Sequence, residues 1–214
     1  MPEHATAKRW SLQDLLPEPV EESLEAALDD LANKVATLEA QRDSLTEDIT
    51  VEAFFELLHE FEAISDLMNR TGAYGELWFA EDTQNQAALN MRDRIRAALV
   101  DAGNRILFFS LWLKGMPDET AERLIANAGE FRYFLEAERK FKPHTLDESE
   151  EQIINLKDAN GIEAMMNLYA MITSKFTYTL EVDGETRTLT RDQLSSYYQH
   201  PSPDVRAATY QELY

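Results

Sequence analysis

The 214-residue sequence contains no cysteine and only four histidines. Without cysteine the chain cannot form disulfides, use a catalytic thiolate or hold zinc through thiolates, and it fits a reducing compartment, so we expect a cytoplasmic protein. No two histidines are four residues apart, the spacing that presents two imidazoles of one helix to a zinc ion. The seven glycines stand singly, without a phosphate-binding loop or a G-x-S-x-G elbow.

Positive charge and long apolar runs are also scarce. Twenty lysines and arginines stand against forty acids, for a net charge of −20. A field of this sign repels phosphate backbones and anionic headgroups, which argues against nucleic acid and membranes as partners. The longest apolar run, residues 106–113, is far shorter than the roughly 20 residues of a membrane span. The first ten residues lack a signal peptide's apolar stretch, so the sequence predicts a soluble, unsecreted protein.

Apolar residues recur at helical spacing through most of the chain. The first pattern contains Leu24, Leu28, Leu31, Val35, Leu38 and Leu45. The second starts at a candidate N-cap, Thr50, and loses its period near Gly72 and Gly75. The third runs from about Thr83 to the break at residues 114–119. These three patterns predict antiparallel helices of a bundle.

Shorter helical stretches follow, and one segment has the period of a strand. Phe176, Tyr178, Leu180 and Val182 alternate with polar residues, and residues 183–184, Asp-Gly, suit a type I′ turn. The predicted fold class is therefore mainly α, a helical bundle of antiparallel helices with one β-hairpin near residues 176–189.

The last helix has a marked start but no marked end. Ser202 is a candidate N-cap and Pro203 suits the first helical position. No glycine, asparagine or basic turn stops the helix before Tyr214. We therefore expect the natural protein to continue beyond this residue.

One stretch, KPHTLDESEEQII at residues 142–154, has the composition of a metal site. It places His144 near four acids, Asp147, Glu148, Glu150 and Glu151. The same residues also make a helix start, because Asp147 is a good N-cap, Glu150 completes a capping box, and acids in a first turn complement the helix dipole. The helix start is the favoured interpretation.

The remaining candidates for chemistry are few. His59 begins the sequence HEFEA, but the second ligand of a zinc motif would fall on Ala63, so a surface position is predicted for His59. His4 is predicted to lie in a disordered terminus and His200 in a polar turn. Aromatic clusters at residues 76–85 and 195–203 could face a cleft, although core packing is favoured. Forty acids give close pairs by chance, so acid spacing identifies no catalytic pair.

Taken in order, several segments resemble the N-terminal half of oligoendopeptidase F, a group of zinc metallopeptidases in the thimet-like M3 family. RWSLQDLLP is similar to the family's opening segment with a tryptophan, and YGELWFAEDTQNQAA to its aromatic pair followed by Asp-Thr. FRYFLEAERKFKPHTLDESEEQII is similar to its His-x-Leu motif with a run of glutamates. LYAMITSKFTYTLEVDGETRTLT is similar to its hairpin, and SPDVRAATYQELY to its later helix with an arginine and small residues. They span nearly the whole chain.

The resemblance implies a parent enzyme that cleaves short peptides with zinc held by a His-Glu-x-x-His helix and a later glutamate. Those residues belong to the family's C-terminal half, so no catalytic, metal-binding or substrate-binding residue can be assigned in this sequence, and no cofactor is expected in it. The implied organisation is an N-terminal helical lobe at residues 1–175, then a hairpin and first helices at residues 176–214 that lead into an absent catalytic domain. The alternative is a stand-alone acidic helical adaptor without enzymatic activity.

Overall fold

Helices make up most of the part of the chain that the computed structural model describes, residues 10–18 and 20–214, which confirms the mainly α prediction. In chain order the helices and strands are α1 (Val20–Ala40), α2 (Val51–Glu81), α3 (Gln86–Gly115), α4 (Asp118–Ala126), α5 (Arg132–Arg139), α6 (Glu148–Asn160), α7 (Ile162–Thr173), β1 (Tyr178–Val182), β2 (Glu185–Leu189), α8 (Arg191–Ser195) and α9 (Pro203–Leu213). Within the described ranges, no helix is both long and apolar enough to cross a membrane.

The chain divides into two compact units, residues 1–159 and residues 160–214. The predicted boundary between residues 175 and 176 concerned domains of a whole enzyme, and it stays a prediction.

Ion pairs give the direction of α1 relative to α3. Arg94 near the start of α3 contacts Glu21 at 2.6 Å and also Glu25, both in the first half of α1. Arg105, further along α3, contacts Glu39 near the end of α1 at 2.7 Å. The arginine that lies later in α3 pairs with the glutamate that lies later in α1, so the two helices run in the same direction.

The middle helix runs the other way. Phe61, early in α2, stacks on Phe109, late in α3, with ring centroids 4.9 Å apart, while Glu76, late in α2, pairs with Arg96, early in α3, at 2.8 Å. Therefore α2 is antiparallel to α3, and also to α1, so the three long helices form the up-down-up bundle that the sequence predicts.

The main core of the first unit lies between α1, α2 and α3 and is closed by α4 and α5. Phe54 and Phe109 are its largest fully buried side chains. Two guanidinium groups hold the closing helices in place. Arg123 of α4 donates to the carbonyls of Glu47 and Ile49 at 2.9 and 2.8 Å, and Arg139 of α5 donates to the carbonyl of Met116, just after α3, at 3.0 Å.

The prediction that α2 ends near Gly72 and Gly75 is wrong, because α2 continues to Glu81. The two glycines lie where α2 and α3 approach each other closely. A Cβ atom at Gly75 would be 3.3 Å from the Cα of Arg92, and one at Gly72 would be 3.1 Å from Leu99. These residues therefore permit close helix packing and do not terminate the helix.

Helix starts agree better with the sequence. The hydroxyl of Thr50 accepts the N–H of Ala53 at 3.2 Å, which confirms the predicted N-cap of α2. Asn85, two residues after the predicted start at Thr83, caps α3 by accepting the N–H of Ala87 at 3.0 Å.

The second unit contains the predicted hairpin. β1 and β2 pair antiparallel, with Tyr178 opposite Leu189. Asp183 and Gly184 have φ angles of 53° and 79°, the two positive values that a type I′ turn requires. Phe176 precedes the strand and is half-exposed, so the hairpin begins two residues later than the alternation suggested.

A small core holds this hairpin against the closing helices. Leu180 and Val182 of β1 are buried with Leu194 of α8, whose start has a capping box formed by Thr190 and Gln193. α9 begins after Ser202 with Pro203 in its first turn, as predicted, although the Ser202 hydroxyl makes no capping hydrogen bond.

The close approach at Gly75 predicts the effect of a larger side chain. Gly75→Val should lower the free energy of unfolding by about 1–3 kcal/mol, the range for overpacking, because the backbone of Arg92 cannot move away as a flexible side chain could. The control is Gly115→Val, since no atom lies within 4 Å of a Cβ at Gly115. Urea unfolding measures both variants, and equal losses would contradict the close approach.

Candidate functional site

The acidic stretch at residues 142–154 is the start of a helix. α6 begins at Glu148, the Glu150 carboxylate accepts the N–H of Asp147 at 3.1 Å, and the Glu151 carboxylate accepts the N–H of Leu146 at 3.0 Å. These acids satisfy backbone groups that a helix leaves without partners at its first turn. His144 is exposed in the short turn Lys142–His144 that precedes them.

The fourth acid of this stretch, Glu148, holds the start of α6 against Arg42, just after α1. Its carboxylate binds both terminal nitrogens of Arg42, whose guanidinium lies 5.0 Å from the ring centroid of Phe108. The hydrogen bond to Glu148 raises the pKa of Arg42, and partial burial opposes that rise. Glu148, Glu150 and Glu151 therefore each have a structural role at the start of α6.

The other histidines lie apart from one another. His59 is exposed, with its Nδ1 3.3 Å from Glu62 and its ring edge-on to Phe131. His200 accepts the N–H of Ser202 through Nδ1 at 3.2 Å. His4 lies outside the described residues. Across residues 10–18 and 20–214, no three acidic or histidine side chains are grouped so as to hold a metal ion.

The first aromatic cluster packs in the core. Phe79 is buried beneath Arg92, whose guanidinium carbon lies 3.9 Å from the ring centroid, and Trp78 is half-buried beside Tyr74. Core packing was the favoured interpretation of this segment. In the second cluster the hydroxyl of Tyr197 accepts a hydrogen bond from Arg187 at 2.8 Å, at the edge of the hairpin core.

Arg92 is a buried cation that the sequence reasoning missed. Its side chain is 2% exposed and donates to Asp93 at 3.0 Å. The signal was present in the sequence, because Arg92 lies four residues after Ala88 and three before Ile95, on the buried stripe of α3. Its place against Phe79 and beside Gly75 makes it part of the packing between α2 and α3.

A groove of about 380 Å³ opens between α2 and the segment that leads into α5. We call it the Phe61 groove, and its lining residues are Leu58, Phe61, Glu62, Ser65, Glu130, Phe131 and Phe134. A further cavity of about 290 Å³ shares Phe61 and Ser65 with it and extends between α2 and α3. The aromatic and aliphatic lining suits an apolar side chain, and the two carboxylates at its edge suit a cationic one.

A second groove lies between α1 and α2 and contains an unusual carboxylate. Its lining residues are Asn33, Lys34, Thr37, His59, Glu60 and Ala63. The Oε2 atom of Glu60 is buried, and within the described chain no protein group donates a hydrogen bond to it. A buried polar atom of this kind normally carries an energetic cost.

This cost predicts a stabilising substitution. Glu60→Met should raise the free energy of unfolding by about 1 kcal/mol, because it removes a buried oxygen without a donor and keeps the volume of the side chain. Glu56→Met, on an exposed position of α2, is the control and should stay within about 0.5 kcal/mol. Thermal or urea unfolding gives both values. A loss of stability at residue 60 relative to the control would show that a bound water or ligand satisfies the carboxylate.

Comparison with known proteins locates one segment in a family. The family model described as Oligopeptidase F matches residues 112–178, from the last turn of α3 through α4, α5, α6 and α7 to the first residue of β1. These residues are of the oligopeptidase F type. This match confirms the resemblance to the N-terminal region of M3 peptidases.

Two further comparisons bear on the chain as a whole. No curated protein matches it. The crystal structure of a presumed peptidase from Chlamydophila abortus is similar over 95% of this chain, with 17% sequence identity and a TM-score of 0.49. The chain spans 35% of the length of that protein. The oligopeptidase F segment contains the acidic start of α6, but the Phe61 groove is formed partly by residues outside it.

Proposed function

We propose that this chain is the N-terminal, non-catalytic portion of a zinc-dependent oligoendopeptidase that hydrolyses short peptides, and that its helices help to wall the substrate cleft. The observation that supports the proposal most directly is the oligopeptidase F match over residues 112–178. The catalytic zinc and its ligands belong, in this proposal, to a region outside the 214 residues, and the enzyme works in the cytoplasm.

The described residues do not fit a zinc site. His59, His144 and His200 lie on separate elements. The carboxylates of Glu148, Glu150 and Glu151 already bind Arg42 or backbone N–H groups. This chain's own contribution is therefore shape and surface. A cleft bounded by rigid helices admits short unfolded peptides, excludes folded proteins by size and limits the access of water.

The first test uses the whole protein encoded by the natural reading frame. We expect it to contain His-Glu-x-x-His after residue 214 and to cleave short fluorogenic peptides. A chelator should abolish cleavage, and added zinc should restore it, because zinc supplies the activated water. Activity that survives chelation would contradict the zinc assignment.

The excess of acids predicts a preference among substrates. If the acidic helices face the cleft, the whole enzyme should cleave a cationic peptide faster than an anionic peptide of matched sequence, and added salt should reduce the difference because it screens exposed charges. Initial rates over a series of salt concentrations measure this effect. Equal rates at every salt concentration would restrict the acids to a role in solubility.

A second function, that of a stand-alone acidic helical adaptor, is favoured by one observation. Helix α7 has no buried residue and exposes large apolar side chains, as a partner-binding helix would. A stop codon directly after Tyr214, together with a peptidase-inactive product, would favour the adaptor. A longer reading frame with the zinc motif would favour the enzyme.

A further inference from the structure

Helix α7 presents an apolar stripe to solvent. None of its twelve residues is buried. Met165 and Met166 are 66% and 67% exposed, and Ile162 is 63% exposed. The α7 stripe comprises Ile162, Met165, Met166, Tyr169 and Ile172. Steps of three and four residues bring these side chains to one side of the helix, the pattern by which an amphipathic helix packs on a core.

The opposite side of α7 differs in both burial and chemistry. Glu163, Asn167 and Met171 follow one another at intervals of four residues, and all three are half-buried. The more polar side of the helix is thus the less exposed one. In a typical surface helix of a globular protein the arrangement is the opposite, because the apolar side packs on the core and the polar side faces solvent.

Helix α6, taken by itself, shows the same inversion in the first unit. Its side chains toward the bundle are polar, since Gln152 donates to the backbone carbonyl of Asn104 at 3.2 Å and Asn155 donates to the side-chain oxygen of Asn104 at 2.8 Å. Ile153 and Ile154 are 54% and 41% exposed. Two consecutive helices therefore each direct apolar side chains outward.

An exposed stripe of this kind needs a permanent cover. A helix of twelve residues is marginal in water when its apolar face is not packed, because most helical stability in proteins comes from tertiary contacts. The stripe contains no Asp, Glu, Lys or Arg, although charged residues make up 28% of the chain. Interfaces that are apolar and depleted in charge are typical of obligate contacts, whereas transient contacts are more polar.

We propose that the α7 stripe is the contact surface for the catalytic region that follows this chain in the same polypeptide. The inference rests on the proposed function. It identifies the surface that docks on the catalytic region and is therefore not free to contact peptide. A second copy of the chain is a poorer occupant, because a net charge of −20 on each copy opposes association. The stripe also lies inside the oligopeptidase F segment, the part of the chain that shares its pattern with peptidases.

The test compares two variants of the whole protein. Met166→Asp places a charge on the stripe, and Tyr133→Asp is the matched control, because Tyr133 is a large, 78% exposed side chain on helix α5. Amide hydrogen exchange of residues 162–173 and the thermal midpoint are measured with and without a short peptide, over a range of protein concentrations.

We expect α7 to be protected without peptide and at every concentration. Met166→Asp should speed its exchange about tenfold or more and lower the thermal midpoint by several degrees, because a carboxylate would be buried without a partner. Tyr133→Asp should change neither measurement.

Three results would overturn the proposal. Protection that arises only with peptide would make the stripe part of the substrate site, and protection that rises with concentration would assign it to a second copy. Equal behaviour of the two variants would show that the stripe is uncovered. Chelator-sensitive peptidase activity, measured on the same samples, reports on the proposed function separately. Absence of that activity would refute the proposed function, whereas chelator-sensitive activity with an unprotected α7 would refute only the interface.

Discussion

The close packing of α2 against α3 is the contact on which the first unit depends. Gly72 and Gly75 remove the side chains that would separate the two backbones, and the stacked rings of Phe61 and Phe109 fill the wider part of the same interface. With this pair in place, α1 covers one side of it, and α4 and α5 cover another. The grooves of the unit follow the seams of this packing, since both lie along α2.

Three arginines join the shorter helices to the bundle. Arg123 and Arg139 bind backbone carbonyls that connect α4 and α5 to the bundle, and Arg42 binds the first residue of α6. Hydrogen bonds from charged groups are stronger than those between neutral groups, so a small number of arginines can hold segments that bury little apolar surface. In a chain with twice as many acids as bases, most of the acids are left to the solvated faces.

The chemistry of the described residues is that of a scaffold. Acids that could have formed a metal site instead cap and dock α6, while the histidines are separated on α2, in turns, or outside the described part. What the structure offers to function is a pair of grooves in the first unit and an outward-facing apolar helix in the second. These features are consistent with the structural role that we propose for this chain.

Local signals in the sequence were sufficient for the fold class and for most helix and strand boundaries. The N-cap at Thr50, the bond from the Asp147 N–H to Glu150 and the turn at residues 183–184 each involve hydrogen bonds or dihedral angles set by neighbouring residues, so they can be predicted from a short segment. Tertiary structure decided the rest. Whether Gly75 ends α2 or allows α3 to pack closely against it depends on Arg92, seventeen positions away in the chain. The burial of Arg92 against Phe79, the unpaired carboxylate oxygen of Glu60 and the exposed apolar face of α7 likewise depend on which surfaces meet. Packing between distant segments is not encoded in any one local pattern.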